Sequence, residues 1–172
     1  RIVPRDGLVS GTGIGGGIIQ VRSTTKTDTF TMPSNDTSFH TVTGLSVTIT
    51  PKRSDSKILV MYDMNWSAIG GHCSCRLMRD STPIKVGDAS GNKTQVTGQF
   101  HYTSGDQYDL EQVSGTHMDS PATTSAVTYS MQVGTPYSAS YDLYVNYHAE
   151  DGANLSWQGR GASTITVMEI SG

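Results

Sequence analysis

Charged side chains and long apolar runs are both scarce in this chain. Asp, Glu, Lys and Arg make up 16% of its 172 residues, the formal net charge is −3, and the few basic residues are scattered along the sequence. A protein that binds nucleic acid usually presents a clustered basic surface, so this composition argues against a nucleic-acid partner. No stretch approaches the roughly 18 apolar residues of a membrane-spanning helix, so we do not expect membrane insertion.

Cysteine occurs only twice, as Cys73 and Cys75. Residues two apart on a strand share a face with their Cα atoms about 6.5–7 Å apart, which is too far for an unstrained disulfide. We therefore expect two thiols. His72 completes the only local set of metal ligands, but zinc needs four, so all three are expected to be ordinary strand residues. A three-fold assembly would bring three copies of one histidine around an ion on its axis. That alternative stays open for the histidines other than His72.

Helix formers are scarce over any window of a dozen residues, whereas strand and turn formers are plentiful. Ser and Thr together fill about a quarter of the chain, which also has 19 glycines. Thr, Val, Ile and Tyr favour strands, while Gly, Ser, Asn and Asp supply turns. Apolar and polar residues alternate at 45–49, 58–66 and 127–133. The pattern predicts an all-β protein, an antiparallel β-sandwich or jelly roll of about eight to ten strands.

The chain divides into a short glycine-rich start and one longer domain. Residues 11–16 (GTGIGG) match the glycine pattern of dinucleotide-binding proteins, but no strand precedes them and no helix pattern follows. Residues 1–16 are therefore predicted to be a linker or stalk junction. Residues 17–172 are predicted to form a single β-sandwich head domain.

The last predicted strand, at 163–170, is apolar on both sides. Ile165 and Val167 lie on one face, and Met168 and Ile170 lie on the other. An outer strand needs only one apolar face, so we expect this strand to be central or covered by partner copies. The pattern permits a trimer, because a three-fold axis beside this strand would bury its second face against copies of itself, and these four residues are the predicted interface.

Aromatic and acidic residues concentrate in the loop-rich segments of the chain. Aromatic rings can stack on sugar rings while neighbouring polar groups bind the hydroxyls, which is the logic of a lectin-like surface. The predicted receptor-binding residues are Tyr102, Asp106, Tyr108, Asp109, Tyr137, Asp151 and Trp157. Alternatively, the tyrosines cap hydrophobic edges and the acids are solvated loop residues.

Two chemical alternatives involve the same acids. Loop oxygens of Asp106, Asp109 and Glu111 are suited to a calcium ion, although no cofactor is expected. A glycosidase needs two carboxyl groups about 5–9.5 Å apart across a cleft, a distance that the sequence does not give. The Gly-x-Ser-x-Gly motif of serine hydrolases is absent from the sequence. The expectation is therefore a protein that is not an enzyme.

Several strings, taken in order, resemble a family of tail-fibre-like virion proteins of marine viruses that infect cyanobacteria and other ocean bacteria. These strings are 16–21 (GGIIQV), 43–51 (TGLSVTITP), 56–60 (SKILV), 76–80 (RLMRD), 87–91 (GDASG), 118–124 (MDSPATT) and 163–170 (STITVMEI). Their order and spacing, rather than any one string, carry the resemblance. The segments 91–116 and 134–161 match the family least, as expected for loops that vary with a receptor.

The resemblance implies a virion structural protein at the C-terminus of a longer fibre chain. It implies a homotrimer that binds a host-surface glycan or protein and contacts other virion proteins in the extracellular phage particle. The expected architecture is similar to the trimeric jelly rolls of tumour necrosis factor and complement-like heads. Two other functions stay open: a purely structural virion component (head fibre, decoration or collar) and an enzyme that trims polysaccharide.

Overall fold

The computed structural model describes residues 17–33, 35–102, 109–149, 151, 156 and 158–172. These residues contain eleven β-strands and no helix, and hence no helix long and apolar enough to cross a membrane. The strands are β1 (Ile18–Lys26), β2 (Phe30–Thr31), β3 (His40–Ile49), β4 (Lys57–Ala68), β5 (Gly71–Arg79), β6 (Thr82–Ile84), β7 (Gly98–Tyr102), β8 (Glu111–Asp119), β9 (Val127–Gly134), β10 (Leu143–Val145) and β11 (Ser163–Ile170). The predicted all-β class is confirmed.

The strands form two antiparallel sheets. In sheet 1 the order of the long strands is β1–β11–β4–β8, and the short strands β10 and β2 extend it at one end. Trp66 of β4 pairs with both Glu111 of β8 and Val145 of β10. At Trp66, β8 pairs along one edge of β4, so β10 must pair along the opposite edge. That opposite edge also pairs with β11, earlier in β4. Sheet 2 has the order β3–β9–β5–β7, with β6 beside the end of β5.

The eight long strands have the connectivity of a jelly roll. Counted along the chain as β1, β3, β4, β5, β7, β8, β9 and β11, the first pairs with the eighth and the second with the seventh. The third pairs with the sixth and the fourth with the fifth. A long antiparallel hairpin rolled into two sheets produces this nesting. The predicted sandwich is therefore a jelly roll, and the short β2, β6 and β10 account for the strands beyond eight.

The core lies between the two sheets and is built from alternate residues of each strand. In β9 the predicted inward residues Val127, Tyr129, Met131 and Val133 are all buried. Both β4 and β11 follow the same two-residue period, with Trp66 among the largest buried side chains. One contiguous cluster joins the inner faces of both sheets. In these strands the two-residue period of the sequence predicts which face is buried.

The strand β8, in the middle of the chain, has little strand signal in the sequence. The sequence has polar and glycine residues throughout β8, which lies at the edge of sheet 1 and is exposed along most of its length. The inward positions of this edge strand lie at the rim of the core and are mostly half-buried, so they need little apolar character. Sequence alternation therefore gives a weak signal for β8.

Asn146 ties the loops together at one end of the sandwich. Its side-chain amide donates to the carbonyls of Lys26 (2.9 Å) and Asp28 (3.0 Å), and its Oδ1 accepts from Ser163 Oγ (2.6 Å). The residue is fully buried with a φ of 68°. Asparagine tolerates this left-handed conformation better than most residues. The network fixes the connection after β1 against the start of β11.

Candidate functional site

An apolar row crosses the outer face of sheet 1. Val21 of β1 pairs with Met168 of β11, Met168 pairs with Leu59 of β4, and Leu59 pairs with Met118 of β8. Paired residues in neighbouring strands point to the same side of a sheet. Val21 is 44% exposed and Met118 is 46% exposed, so solvent covers both ends of the row.

The row beside it consists mainly of hydroxyl side chains. Ser23, Thr166, Met61 and Thr116 form the next row, and Ser23 Oγ lies 2.8 Å from Thr166 Oγ1. Exposed Met61 adds a further apolar group. We call these two rows together the outer apolar face. Neither row contains a charged side chain, although charged residues of proteins lie mostly at exposed positions.

Lys57 and Asp63 lie at the borders of the outer apolar face. Lys57 pairs with Ile170 beyond the apolar row, and Asp63 pairs with Thr164 beyond the hydroxyl row. Burial raises the pKa of Asp63 even in the single chain. A covering partner would strengthen this effect, because it would remove more water from the carboxylate.

The four residues predicted at the trimer interface divide between two faces. The strand β11 is central, as expected, since it pairs with β1 and β4. Ile165 and Val167 are fully buried in the core of one chain, so their burial needs no second copy. Their placement at a trimer interface is therefore corrected. Met168 and Ile170 are half-buried on the outer side, where a partner can reach them.

A second surface feature is a groove on the outer side of sheet 2. Its volume is about 440 Å³, and its described lining consists of His72, Asn92, Lys93, Thr94, Gln99, Pro136 and Tyr137. We call it the loop groove. His72 belongs to β5 and Gln99 to β7, so two paired strands form its floor. Residues after β6 and after β9 form its walls.

Aromatic contacts order one side of the loop groove. The His72 ring packs at 4.5 Å from the His101 ring and meets the Tyr137 ring edge-on at 5.5 Å. Tyr137 is nevertheless 75% exposed, the highest value among the large apolar and aromatic side chains described as exposed. An exposed, laterally supported ring is suited to stacking against a ligand.

The predicted receptor residues lie in different parts of the structure and differ in exposure. Tyr137 lines the loop groove, whereas Asp109 and Asp151 are exposed elsewhere, and Asp151 pairs with Arg160. Tyr102 is buried, and its hydroxyl donates to the Trp66 carbonyl at 3.1 Å. Tyr102 is thus a core residue and is removed from the predicted receptor surface. Predictions for Asp106, Tyr108 and Trp157 fall outside the described residues.

No pattern in the sequence marks His72, Lys93 and Gln99 as receptor-binding residues. His72 and Gln99 lie on neighbouring strands, and Lys93 reaches the same groove from a loop. Alternation in the sequence predicts that residues 72 and 99 point outward. It does not predict that β5 pairs with β7. Among the described residues, no group of three His, Cys, Asp or Glu side chains is placed to hold a metal ion.

Comparisons with known proteins identify no family for this chain. No protein-family model matches the chain, and no curated protein sequence matches it. One similar solved chain belongs to the structure of infectious bursal disease virus Gx strain, with 14% sequence identity and a TM-score of 0.40. The match covers 90% of this chain and spans 42% of that chain. A likeness this distant carries no argument about function.

Proposed function

We propose that this chain is a non-enzymatic virion structural protein, the head domain of a phage tail fibre that assembles as a homotrimer and binds a host-surface receptor. The observation that carries the proposal is the outer apolar face. Viral capsid and lectin domains are among the proteins that use jelly rolls, which supports the proposal only as an analogy of fold. The ordered sequence strings resemble marine tail-fibre proteins, and this resemblance is the reason for proposing that the chain is part of a virion and of a fibre.

A second copy of the chain is the partner that best fits the outer apolar face. Its rows hold methionine, leucine, valine and hydroxyl groups, and hydroxyls both donate and accept hydrogen bonds. A surface with these groups and no charge is compatible with itself, since contact brings no like charges together. In a three-fold ring each interface is heterologous, so one part of this face on one copy meets a different part of the face on the next copy, and all three copies bury the face around the axis. Trimer formation also gives three receptor sites on one head, so weak single sites gain avidity.

The solution mass tests assembly directly. Light scattering coupled to size exclusion is expected to give three times the 18.4 kDa of the single chain. Met118→Glu places a charge on the outer apolar face and is expected to shift the mass toward the monomer. The matched control is Ile69→Glu, because Ile69 is similarly exposed (42%) but lies in the turn after β4. A wild-type monomer at micromolar concentration would contradict the trimer.

Cell binding separates the receptor function from a purely structural role. Fluorescently labelled trimer is expected to bind cells of some marine bacteria, including cyanobacteria. A head-fibre, decoration or collar protein would leave all such cells unstained and bind virion proteins instead. Release of reducing sugar from host polysaccharide during the same incubation would show that the protein is an enzyme.

A further inference from the structure

The described lining of the loop groove holds one lysine and no carboxylate. The chain has 15 acidic and 12 basic residues, yet no Asp or Glu is among the described residues that line this groove. Lys93, Asn92 and Gln99 supply N–H donors there, and Lys93 supplies a positive charge. A ligand that accepts hydrogen bonds and carries negative charge therefore fits the groove better than a neutral or cationic one.

The walls of the loop groove are held in place by hydrogen bonds. On one side, the amide of Lys93 donates to the Ser90 carbonyl at 3.1 Å, which closes a turn. Further along that loop, the Gln95 carbonyl accepts from Arg76 Nε at 2.9 Å, which fixes the loop to β5. On the other side, Tyr137 lies in a turn closed by the Ser138 amide and the Thr135 carbonyl at 3.1 Å. Such preorganisation lowers the entropy cost of binding.

We infer that the loop groove binds an acidic saccharide, with the sugar ring against Tyr137 and its carboxylate at Lys93. This inference rests on the proposed receptor-binding function and names the chemical class of the receptor. The aromatic ring gives a flat apolar surface for the sugar face. Asn92, Thr94 and Gln99 bind hydroxyl groups, as in other small-ligand sites where a few polar groups fix orientation.

The lining of the groove favours a saccharide over a peptide built of acidic residues. Tyr137 offers a ring on which the face of a sugar can stack, and a peptide of Asp or Glu has no ring to place there. A peptide bound in extended form would instead add to a free strand edge. Strand β7 has such an edge, since β5 is its only strand partner among the described residues, and the binding experiment therefore includes an acidic peptide.

The binding experiment uses the whole chain and titration calorimetry with three acidic probes: oligogalacturonate, oligomannuronate and oligohyaluronate. At least one is expected to bind, and the same oligosaccharide with its carboxyl groups methyl-esterified is expected to bind at least tenfold more weakly. The inference is overturned if no acidic probe binds at millimolar concentration or if the esterified form binds equally well. Equal or tighter binding of oligo-aspartate would also overturn it, in favour of an acidic peptide.

Matched variants locate the site. Lys93→Gln is expected to weaken binding about tenfold, which is a change of ~1.4 kcal/mol, while Lys52→Gln, another exposed lysine, leaves it unchanged. Tyr137→Ala is expected to abolish measurable binding, whereas Tyr137→Phe keeps the ring and keeps most of the affinity. Wild-type affinity in both Lys93→Gln and Tyr137→Ala would place the saccharide elsewhere.

Cell staining distinguishes failure of this inference from failure of the proposed function. If cells are stained equally by wild type and Tyr137→Ala, the receptor function stands and the groove is the wrong site. If an acidic probe binds in the groove while no cell is stained, the groove assignment stands and the receptor function fails. Loss of both staining and probe binding in Tyr137→Ala supports both.

Discussion

The phenol of Tyr129 donates a hydrogen bond of 2.7 Å to Asp119 Oδ2 across the interior of the sandwich. Tyr129 belongs to β9 in sheet 2, whereas Asp119 ends β8 in sheet 1. Arg79 of β5 binds the same carboxylate at 2.9 and 3.1 Å. Burial and the contact with Asp119 raise the pKa of Tyr129, so its hydroxyl stays protonated and remains a donor. One carboxylate thus joins the two sheets.

The first prediction concerns this cross-sheet bond. Tyr129→Phe is expected to lower the free energy of unfolding by about 1–3 kcal/mol, because the buried carboxylate loses a partner. Tyr144→Phe is the control, since the Tyr144 hydroxyl is 3.5 Å from Asp142 Oδ2 and the residue is only half-buried. Urea unfolding followed by fluorescence measures both. Equal stability of the two variants would show that the Tyr129 bond contributes nothing net.

The second prediction concerns the packing of Tyr141 on Gly71. Gly71 has a φ of 76°, and a Cβ at this position would overlap the Tyr141 ring. Gly91 has a φ of 55° with open space around its missing side chain. Gly91→Ala is expected to cost about 1–2 kcal/mol from backbone strain alone. Gly71→Ala adds a steric term of ~1–3 kcal/mol.

Thermal unfolding of the two alanine variants checks that difference. A lower melting temperature for Gly71→Ala than for Gly91→Ala is expected. Equal melting temperatures would mean that the Tyr141 ring moves aside at no cost.

The third prediction concerns the thiols. Cys73 and Cys75 are free and buried, and burial raises the pKa of each to about 12. Only the thiolate is an effective nucleophile, so both should be almost inert at pH 8. Ellman's reagent is expected to label neither thiol in the folded chain and both in urea. Fast labelling of one thiol without denaturant would show that local opening exposes β5.

The fourth prediction concerns acid stability. The buried Glu169 carboxylate accepts from Gln20 Nε2 at 2.6 Å and from the Lys52 amide at 2.7 Å. Burial opposes ionisation, but the hydrogen bonds together lower the pKa of Glu169 below its usual value. A depressed pKa in the folded state means that the stabilisation is present above the unfolded pKa and is lost as the pH falls through the folded pKa.

Stability measured by urea unfolding between about pH 3 and pH 6 tests this sign. The free energy of unfolding is expected to fall with decreasing pH in the wild type and to fall less steeply in Glu169→Gln. Asp109→Asn removes an exposed carboxylate and serves as the control, with a pH dependence like that of the wild type. Identical slopes in wild type and Glu169→Gln would contradict the prediction.

Much of the fold could be predicted from the sequence, since it depends on local alternation. Residues 127–133 alternate strictly, and the side chains of β9 are buried in the predicted pattern. Tyr137 was also among the predicted receptor residues, and it is exposed in a groove. In contrast, Tyr102 has the same residue type and a similar loop-flanking position, but it belongs to the core. Residue type does not decide exposure at the end of a strand.

The amino-acid sequence by itself determined the all-β class, the inner face of each regular strand and the two-sided apolar character of β11. These features follow from the two-residue period of a strand, which acts between neighbours in the chain. Only the tertiary structure decided that Met168 lies between Val21 and Leu59, or that His72 lies beside Gln99 under Lys93. Strand pairing joins residues far apart in sequence, and many registers satisfy the same alternation. The competition among those registers is settled by packing of the whole core, and the two candidate surfaces are consequences of that packing.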